Sequence, residues 1–302
     1  MNKNTRSRVV DILLILMMVL PFVAAITLKV LTTPRSEEIS ISGAQIYLTI
    51  PMPIMDLTIT SSQINSWAVM ISIFGLCLYL THGIQVIPNS KRQLLAEWIV
   101  TKVNNLIRNN MGERFMAFAP FVAGIMALSA FSSLSSLLGL FPPTSDMNIV
   151  AGWAILVFVL ITHYKLKGGV WPYVKGFFEP VPVFAPFNII GELATPVSMS
   201  FRHYGNVLSG VVISTLIAHA LQGLTKLVLG WLPGVLGQFP FLQIGLPAIL
   251  SLYFDIFSGL MQAFIFAMLT MLYIATGFSE DAYNERMARK KKKKLHAAGA
   301  DA

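Results

Sequence analysis

Six long apolar stretches dominate the sequence. Charge, proline or glycine separates each stretch from the next, and they run roughly over residues 9–32, 66–87, 115–141, 148–164, 185–221 and 240–278. Charged residues make up only 12% of the chain, whereas a soluble domain carries about 25%. The pattern predicts an all-α integral membrane protein with about six transmembrane helices. It excludes a cytosolic enzyme, a nucleic-acid-binding module and a disordered tail protein.

The basic residues predict how these stretches are oriented. Bases exceed acids in segments at alternate ends of the spans, namely 1–8, 88–114, 165–184 and the tail from Ser279. Acids exceed bases in the intervening segments 33–65 and 142–147. Because cytoplasmic loops of membrane proteins are enriched in Lys and Arg, both termini are predicted to be cytoplasmic. Lys226, in segment 222–239, is the one charge that departs from this alternation.

The first apolar stretch has two interpretations. Basic residues precede it and Ala24-Ala25 could form a cleavage site, as in a secretory signal peptide. Its apolar core, from Ile12 to Val30, is long for such a peptide, which favours an uncleaved anchor. Beyond it, apolar and polar residues alternate around Ile39 and Ile41 and again over residues 46–50. This period of two predicts a short hairpin in segment 33–65, which the charge pattern places outside the cell and which we call the outer segment.

Residues 90–111 predict an amphipathic helix rather than a span. Apolar residues recur there at helical spacing, at Leu94, Leu95, Trp98, Ile99, Val103, Leu106 and Ile107. The basic residues fall mostly on other faces, at Lys91, Arg92, Lys102 and Arg108. We expect this helix to lie at the cytoplasmic membrane interface with its bases near lipid phosphates. A solvated helix packed on the protein is the alternative.

The last two apolar stretches are too long to cross a bilayer upright. There are 36 residues from Pro186 to Leu221 and 32 from Pro247 to Phe278. Straight helices of these lengths would measure about 54 Å and about 48 Å, whereas the hydrocarbon core is about 30 Å thick. We predict that both are long, steeply tilted helices that pair as a hairpin. Two ordinary spans with interfacial extensions are the alternative.

These two stretches also contain ionisable and amide side chains at membrane depth, namely Glu192, Arg202, Asp255 and Gln262. An ionisable group costs about 2.5–3.5 kcal/mol at the bilayer centre on insertion scales. Such groups usually face a protein interior or a water-filled cavity, and they often mark ion pathways. Their concentration in two spans predicts a polar track through the protein.

Helical spacing groups the polar residues into two faces. One face contains Ser198, Arg202 and Asn206, with Gly205 and Ser209 beside it. The other face contains Asp255, Ser258, Gly259 and Gln262. Because arginine stays charged even when partly dehydrated, Arg202 is predicted to gate ions and to meet a carboxylate supplied by another protein. A packing pair with Asp255 or Glu192 is the alternative, although Glu192 lies about 15 Å away along the helix.

Motifs for other chemistries are missing from the sequence. It contains no phosphate-binding loop, no dinucleotide fingerprint and no His-Glu-x-x-His motif. Its five histidines do not cluster at ligand spacing, and Cys77 is its single cysteine. We therefore expect no catalytic residue, no cofactor and no metal site. A secondary transporter is the alternative function, although such proteins usually have internal repeats and this sequence shows none. A membrane-embedded enzyme would need a nucleophile and base, or a metal set.

Two segments resemble subunit a of F-type ATP synthases. They are Pro196-Val-Ser-Met-Ser-Phe-Arg-His-Tyr-Gly-Asn206 and Gln262-Ala-Phe-Ile-Phe-Ala-Met-Leu-Thr-Met-Leu-Tyr273. The resemblance extends in span layout from about residue 65 to 278, and it is sharp over 186–210 and 255–278. It implies an ion-conducting stator with two offset half-channels, which load and unload carboxylates on an adjacent c ring. It also implies a division into an N-terminal anchor with an outer loop, 1–64, and an ion-translocating domain, 65–302.

The resemblance implies a role for each polar residue by its position. Arg202 matches the essential arginine that separates the half-channels. The outer access path would include Asn206, Gln262 and Asp255. The inner path would include Ser198 and Glu192.

The resemblance further implies partners and location. The partners would be c-ring subunits, peripheral-stalk subunit b, the remainder of the synthase and the lipid bilayer, with no nucleic acid. The chain would be a non-catalytic, multi-pass subunit in a bacterial plasma membrane, while the complex makes ATP from ADP and phosphate. Whether the ion is a proton or sodium stays open, because the ring site decides it.

The sequence departs from the family pattern at several positions. Val211 stands where some bacterial members have a glutamate that partners the position of Asp255. His203 and Tyr204 replace the more usual Leu and Phe after the arginine. His203 points about 100° away from Arg202 and is interpreted as a packed, hydrogen-bonded histidine, with a proton relay as the alternative. The first span, residues 9–32, precedes the five spans that are usual in the family. The resemblance assigns no role to this additional span.

Overall fold

A computed structural model describes most of the chain. The described residues are 3–32, 43–53, 56–88, 90–167, 169–179, 181–229, 245–278 and Asn284. Three features named in the sequence lie wholly or partly outside them: the alternation around Ile39 and Ile41, segment 222–239 from residue 230 onward, and the basic tail from Ser279 apart from Asn284. The start of the last apolar stretch, 240–244, also lies outside them.

The structure is built almost entirely of helices. The α-helices are α1 Lys3–Thr32, α2 Ser61–Thr81, α3 Lys91–Met111, α4 Ala119–Leu134, α5 Met147–Lys167, α6 Val170–Phe177, α7 Ala185–Leu229, α8 Leu246–Ser251 and α9 Gly259–Gly277. A π-helical segment, Leu252–Ser258, joins α8 to α9. Short 3₁₀ helices occupy Glu113–Phe118, Ser135–Leu138, Pro143–Ser145 and Pro182–Phe184. The strands are β1 Ile46–Ile50 and β2 Leu57–Thr60.

Within the described part of the chain, six helical segments are long and apolar enough to cross a membrane, which confirms the prediction of an all-α integral membrane protein. They are Arg8–Thr32, Ser61–Thr81, Glu113–Leu138, Met147–Lys167, Pro182–Val228 and Leu252–Gly277. Each corresponds to one of the predicted apolar stretches. The chain is therefore a multi-pass membrane protein.

The outer segment contains an antiparallel hairpin, and one of its strands, residues 46–50, coincides with a predicted alternation. The other strand, Leu57–Thr60, was not predicted, and the alternation around Ile39 and Ile41 lies outside the described residues. β1 and β2 pair antiparallel, with Thr49 opposite Thr58 and Ile50 opposite Leu57. The second strand leads directly into α2, because Thr60 is the N-cap of that helix and its side chain accepts a hydrogen bond from the Gln63 amide.

The first helix packs on the rest of the protein along α2. Ser72 Oγ donates to the Met18 carbonyl over 2.8 Å, and Gly75 gives the backbone of α1 room to approach. At one end of α1, Arg92 Nη1 lies 2.8 Å from Asp11 Oδ1, which ties α1 to the start of α3. Near the other end, Ala25 is buried. These contacts place α1 at the edge of the bundle as a packed helix.

Residues 91–111 form the predicted amphipathic helix, α3, and its two halves differ. In the first half, large apolar side chains are exposed, namely Leu94, Leu95, Trp98, Ile99 and Val100. In the second half, Ile107 and Met111 are buried in the main core. The exposed half is consistent with the predicted position at the membrane interface, and the buried half anchors the helix to the protein.

The main core lies between α3, α4, α5 and α9. Its buried apolar side chains come from all four helices and from the 3₁₀ helix before α4, and they include Ile107, Phe115, Val122, Val157, Phe266, Met271 and Ile274. Close packing of these side chains fixes α9, the last helix, against the middle of the bundle. α7 lies against α5 and α9 on one side of this core.

The last two spans are long helices, as predicted, although α7 continues past the predicted end at Leu221 to Leu229. α7 contains 45 residues, which is roughly 67 Å of helix at 1.5 Å per residue. The chain is also helical without a break from Leu246 to Gly277. The two segments run antiparallel, since Asn206 contacts Gln262 and Gly210 lies against Phe254. They therefore form a hairpin, and only a strongly inclined α7 would fit a hydrocarbon core of about 30 Å.

Candidate functional site

A polar cavity lies at one end of the α7–α9 hairpin. We call it the Asp255 cavity; its volume is about 420 Å³. Its lining comes from α1, the outer segment, α2, the α4–α5 connection and α7: Ala25, Lys29, Gly43, Gln45, Tyr47, Ser61, Asn65, Ser136, Gly139, Leu140, Phe141, Pro142, Gly210, Val211, Ser214, Thr215 and Asp255. The charge pattern assigned the segments at this end to the outer side of the membrane.

Hydrogen bonds hold the walls of the Asp255 cavity in place. Asn65 Nδ2 donates to the Phe141 carbonyl over 2.8 Å. Beside it, Ser62 Oγ donates to an Asp146 carboxylate oxygen. These bonds fasten the start of α2 to the α4–α5 connection. The start of α2 and the α4–α5 connection therefore form one side of the cavity, and α7 forms another side.

A π-helical segment carries Asp255 into this cavity. Leu252–Ser258 adopts the wider i→i+5 geometry, which is rare and often occurs at functional sites. The prediction that Asp255, Ser258, Gly259 and Gln262 share one face assumed α-helical spacing throughout. The wider turn changes the angle between Asp255 and Gln262. Asp255 is half-buried and lines the cavity, whereas Gln262 is buried and contacts α7.

A second polar cavity lies at the other end of the hairpin. It consists of two adjoining pockets of about 150 Å³ and about 560 Å³ that share Lys165, Glu192, Thr276 and Gly277. We call the pair the Glu192 cavity. Its other walls include α6, through Pro172, Tyr173, Gly176 and Phe177. The charge pattern assigned this end to the cytoplasmic side.

The carboxylate in this cavity has two partners. Lys165 Nζ lies 2.7 Å from Glu192 Oε1, and the Tyr173 hydroxyl donates to the same oxygen over 3.3 Å. Burial, together with the adjacent Glu192 carboxylate, raises the pKa of Tyr173 above its ordinary value of 10.0. The lysine stem lies against Gly277, where a Cβ would come within 3.1 Å of it. The arrangement neutralises Glu192 with an amine that reaches in from α5.

Arg202 lies on α7 between the two cavities. It is ten residues after Glu192 and eight before Gly210, which is roughly 15 Å and 12 Å along the helix. Arg202 is exposed, as are Ser198 and Asn206, so the predicted shared face exists and is open. Among the described residues, no carboxylate pairs with Arg202. The alternative of a packing pair with Glu192 or Asp255 is therefore wrong.

An amide bridge joins the two helices of the hairpin beside Arg202. Asn206 Nδ2 donates to Gln262 Oε1 over 2.8 Å. Gln262 is only 2% exposed, while Asn206 lies on the open face. The bridge is therefore the point where the open face of α7 connects to the interior of the protein. Asn206 and Gln262 are thus two of the six predicted residues that a hydrogen bond joins directly.

His203 is a packed histidine, as the sequence analysis predicted. It is fully buried, and its Nε2 lies 3.2 Å from Ser129 Oγ. The rings of Trp153 and Phe266 stand edge-on to it. Because α7 turns about 100° per residue, burying His203 in this way leaves Arg202 pointing toward the open face.

Sequence reasoning missed three residues of these cavities. The sequence pattern singled out none of Lys29, Lys165 and Tyr173 as a residue of the site. Lys29 and Lys165 lie near the ends of spans, where a lysine can bury its stem and keep its charged end in a water-filled space. Their partners come from distant segments, and the sequence does not reveal such pairs.

Comparison with known proteins shows the family to which the chain belongs. The family model for the ATP synthase A chain matches residues 63–275. A relative from Propionigenium modestum, the sodium-ion-specific ATP synthase subunit a, is 29% identical over 75% of this chain and 77% of its own. ATP synthase subunit a from Bacillus pumilus is 32% identical over 75% of this chain and 96% of its own. ATP synthase subunit a from Acidothermus cellulolyticus is 33% identical over 67% of this chain and 71% of its own. The matched region includes both cavities' acids and Arg202, and the chain belongs to the ATP synthase A chain family.

Proposed function

We propose that this chain is the ion-conducting stator subunit of a rotary ATP synthase. The Asp255 cavity is its outer half-channel, the Glu192 cavity is its inner half-channel, and Arg202 separates them. The observation that carries the proposal is the position of Arg202 on an open helix face, between two polar cavities at opposite ends of the same hairpin. Neither cavity is lined by a residue of the other.

The outer half-channel delivers an ion to the open face of α7. An ion enters the Asp255 cavity, where a carboxylate attracts it among hydroxyl and amide groups. It then passes the Asn206–Gln262 bridge, whose amides provide polar groups without a fixed charge. At the open face it neutralises a carboxylate on an adjacent c ring. A neutral site can enter lipid, whereas a charged one would be strongly disfavoured there.

The inner half-channel receives the ion after the ring has turned. The ring site reaches Ser198, which lies on the same open face as Arg202, one helical turn toward Glu192. The ion then leaves through the Glu192 cavity. The amine of Lys165 offsets the charge of Glu192, so the exit attracts a cation without holding it tightly. Each ion crossing the membrane releases about 2.3 kcal/mol per 100 mV of potential.

Arg202 keeps the two paths apart in this mechanism. Its charge favours the ionised form of a ring carboxylate that faces it, so the site empties before it loads again. The same charge repels an ion that would pass directly from one cavity to the other. Among the described residues no carboxylate pairs with Arg202, so the guanidinium is available to a partner's carboxylate.

The proposed function sets the chain's surroundings. It would act without catalysing a reaction itself, next to a c ring, with peripheral-stalk subunit b and the soluble head completing a complex that makes ATP from ADP and phosphate. It would lie in a bacterial plasma membrane with both termini in the cytoplasm. Residues 65–302 would conduct the ion, and residues 1–64 would supply an anchor and an outer loop.

The test is ATP-driven ion pumping by the whole complex in vesicles, with wild type compared with Arg202→Ala. We expect the variant to assemble but to lose both pumping and ATP synthesis. Lys226→Ala is the matched control, because it removes a cation from the last turn of the same helix, outside both cavities. Repeating the wild-type assay with and without added sodium identifies the ion. Full coupled pumping by an assembled Arg202→Ala complex would refute the mechanism.

A further inference from the structure

The N-terminal helix forms part of the wall of the Asp255 cavity. Ala25 and Lys29 of α1 line it, together with Gly43, Gln45 and Tyr47 of the outer segment. These residues precede the region 63–275 that matches the family model. The additional first span is thus not merely an anchor, since it encloses a cavity whose acid belongs to the matched region.

Lys29 makes the contact that closes this wall. Its Nζ donates to the Gly139 carbonyl. Gly139 follows the 3₁₀ helix Ser135–Leu138 and has a φ of +71°, a conformation that glycine adopts without strain. One turn earlier on α1, Ala25 packs with Ala68 and Leu140. The amine is therefore held at the edge of the cavity by the α4–α5 connection.

The charges in the cavity are few and opposed. Lys29, Tyr47 and Asp255 are its ionisable side chains, counted over the lining residues that the structure describes. A fixed ammonium facing the same polar space as a carboxylate lowers the local concentration of cations. It also favours anions there, because a low-dielectric wall focuses the field of each charge.

We propose that Lys29 is a specificity-determining residue of the Asp255 cavity, which limits how strongly the cavity accumulates cations. Its effect on transport rests on the proposed half-channel, but its effect on the local field does not. Without the ammonium, the cavity would lose the one positive charge among its described lining residues. The cavity would then fill at lower ion concentration.

The first experiment measures the field directly by charge-selective thiol labelling. Cys77 is the single cysteine of the chain, so Cys77→Ser gives a thiol-free background, and Ser214→Cys places a thiol on the cavity wall. The complex is treated with an anionic sulfonatoethyl and a cationic trimethylammonium-ethyl methanethiosulfonate. Lys29→Gln and Lys29→Met are expected to lower the anion-to-cation ratio of labelling rates by roughly threefold to tenfold. Lys29→Arg is expected to keep the wild-type ratio.

Two further controls isolate the effect. Thr276→Cys places the thiol in the Glu192 cavity instead, and its labelling ratio should not respond to any change at Lys29. Lys102→Gln removes an exposed amine from α3 and should leave the ratio at Ser214→Cys unchanged. Lys29→Gln retains a hydrogen-bond donor for the Gly139 carbonyl, so it separates the charge from the tether.

The second experiment measures transport with the native Ser214 and Cys77 present. ATP synthesis in vesicles is followed against the outer concentration of the transported ion. Lys29→Gln and Lys29→Met are expected to reduce the half-saturating concentration by roughly threefold to tenfold. Lys29→Arg should match wild type, and the maximal rate should change less than the half-saturation.

Three results would overturn the proposal. The labelling ratio could be unchanged in Lys29→Gln and Lys29→Met. The ratio could change in Lys29→Met but not in Lys29→Gln, which would mean that Lys29 acts through its hydrogen bond to Gly139 and not through its charge. Labelling could shift while half-saturation stays constant, which would remove Lys29 from ion entry. Failure of the half-channel proposal would look different, because Arg202→Ala would then keep coupled pumping while the labelling shift at Ser214→Cys could still be measured.

Discussion

Asn206 and Gln262 join the two long helices through a single amide bridge of 2.8 Å. One amide lies on the open face of α7 and the other is buried in the bundle. An amide pair keeps its hydrogen bond at any pH, because neither side chain titrates. The bridge therefore provides an uncharged connection between the open face of α7 and the interior, one helical turn from Arg202. A carboxylate at this position would have competed for the arginine.

The bridge should contribute a measurable coupling energy. We expect a double-mutant cycle with Asn206→Ala and Gln262→Ala to give about 0.6 kcal/mol and at most about 1.7 kcal/mol, the range found for hydrogen bonds between membrane helices. The free energy of unfolding in mixed micelles is the measurement. Ser209→Ala with Gln262→Ala is the control cycle, because Ser209 Oγ donates within its own helix to the Gly205 carbonyl. Equal coupling in both cycles would contradict the prediction.

Lys165 should stabilise the Glu192 cavity through its charge. Lys165→Met leaves the half-buried Glu192 carboxylate without its cation, and we expect a loss of about 1–3 kcal/mol, since the cavity is only partly closed to water. Lys165→Arg should lose less. Adding Glu192→Gln to Lys165→Met should recover most of the loss, because an amide does not need a cation. Unfolding of the purified chain measures all of these variants, and an unchanged Lys165→Met would refute the prediction.

Close packing at Gly259 should be intolerant of even one methyl group. A Cβ at this position would lie 2.7 Å from Ser133 Cβ on α4, so Gly259→Ala forces helices α4 and α9 apart. We expect destabilisation of about 1–3 kcal/mol from overpacking. Gly152→Ala is the matched control, because no atom lies within 4 Å of an added Cβ there. That variant should be neutral or slightly stabilised. Thermal unfolding of both variants tests the difference.

The sequence predicted most of the fold because membrane insertion imposes a strong length and polarity requirement. The six spans, the amphipathic helix from Lys91 and the unusual length of the last two spans all follow from where apolar residues begin and end. The open face with Ser198, Arg202 and Asn206 also follows, since α7 keeps α-helical spacing across it.

The contents of the cavities could not be predicted in the same way. The π-helical segment around Asp255 rotates that carboxylate relative to Gln262, and no composition signal marks such a segment. The pairing of Lys165 with Glu192 and the position of Lys29 beside Gly139 depend on packing between distant segments. Hydrophobic periodicity identifies the faces of a helix but does not identify which neighbour covers them.

Tyr173 should make the protein more sensitive to alkali. Because burial and the Glu192 carboxylate raise its pKa above 10.0, the folded protein holds the phenolic proton more tightly than the unfolded chain. The stabilisation is fully present below pH 10.0, the ordinary value, and it is lost as pH rises through the higher folded pKa. Above pH 10.0, we therefore expect thermal stability to fall more steeply in wild type than in Tyr173→Phe, which has no phenolic proton to lose.

A second background tests the part that Glu192 plays in this effect. Glu192→Gln removes the carboxylate charge that contributes to the raised Tyr173 pKa. It should therefore narrow the difference in alkaline stability between the protein with Tyr173 and the Tyr173→Phe variant. Melting curves recorded at intervals from neutral to strongly alkaline pH provide the measurement. Parallel curves for wild type and Tyr173→Phe would show that the hydroxyl does not respond to Glu192.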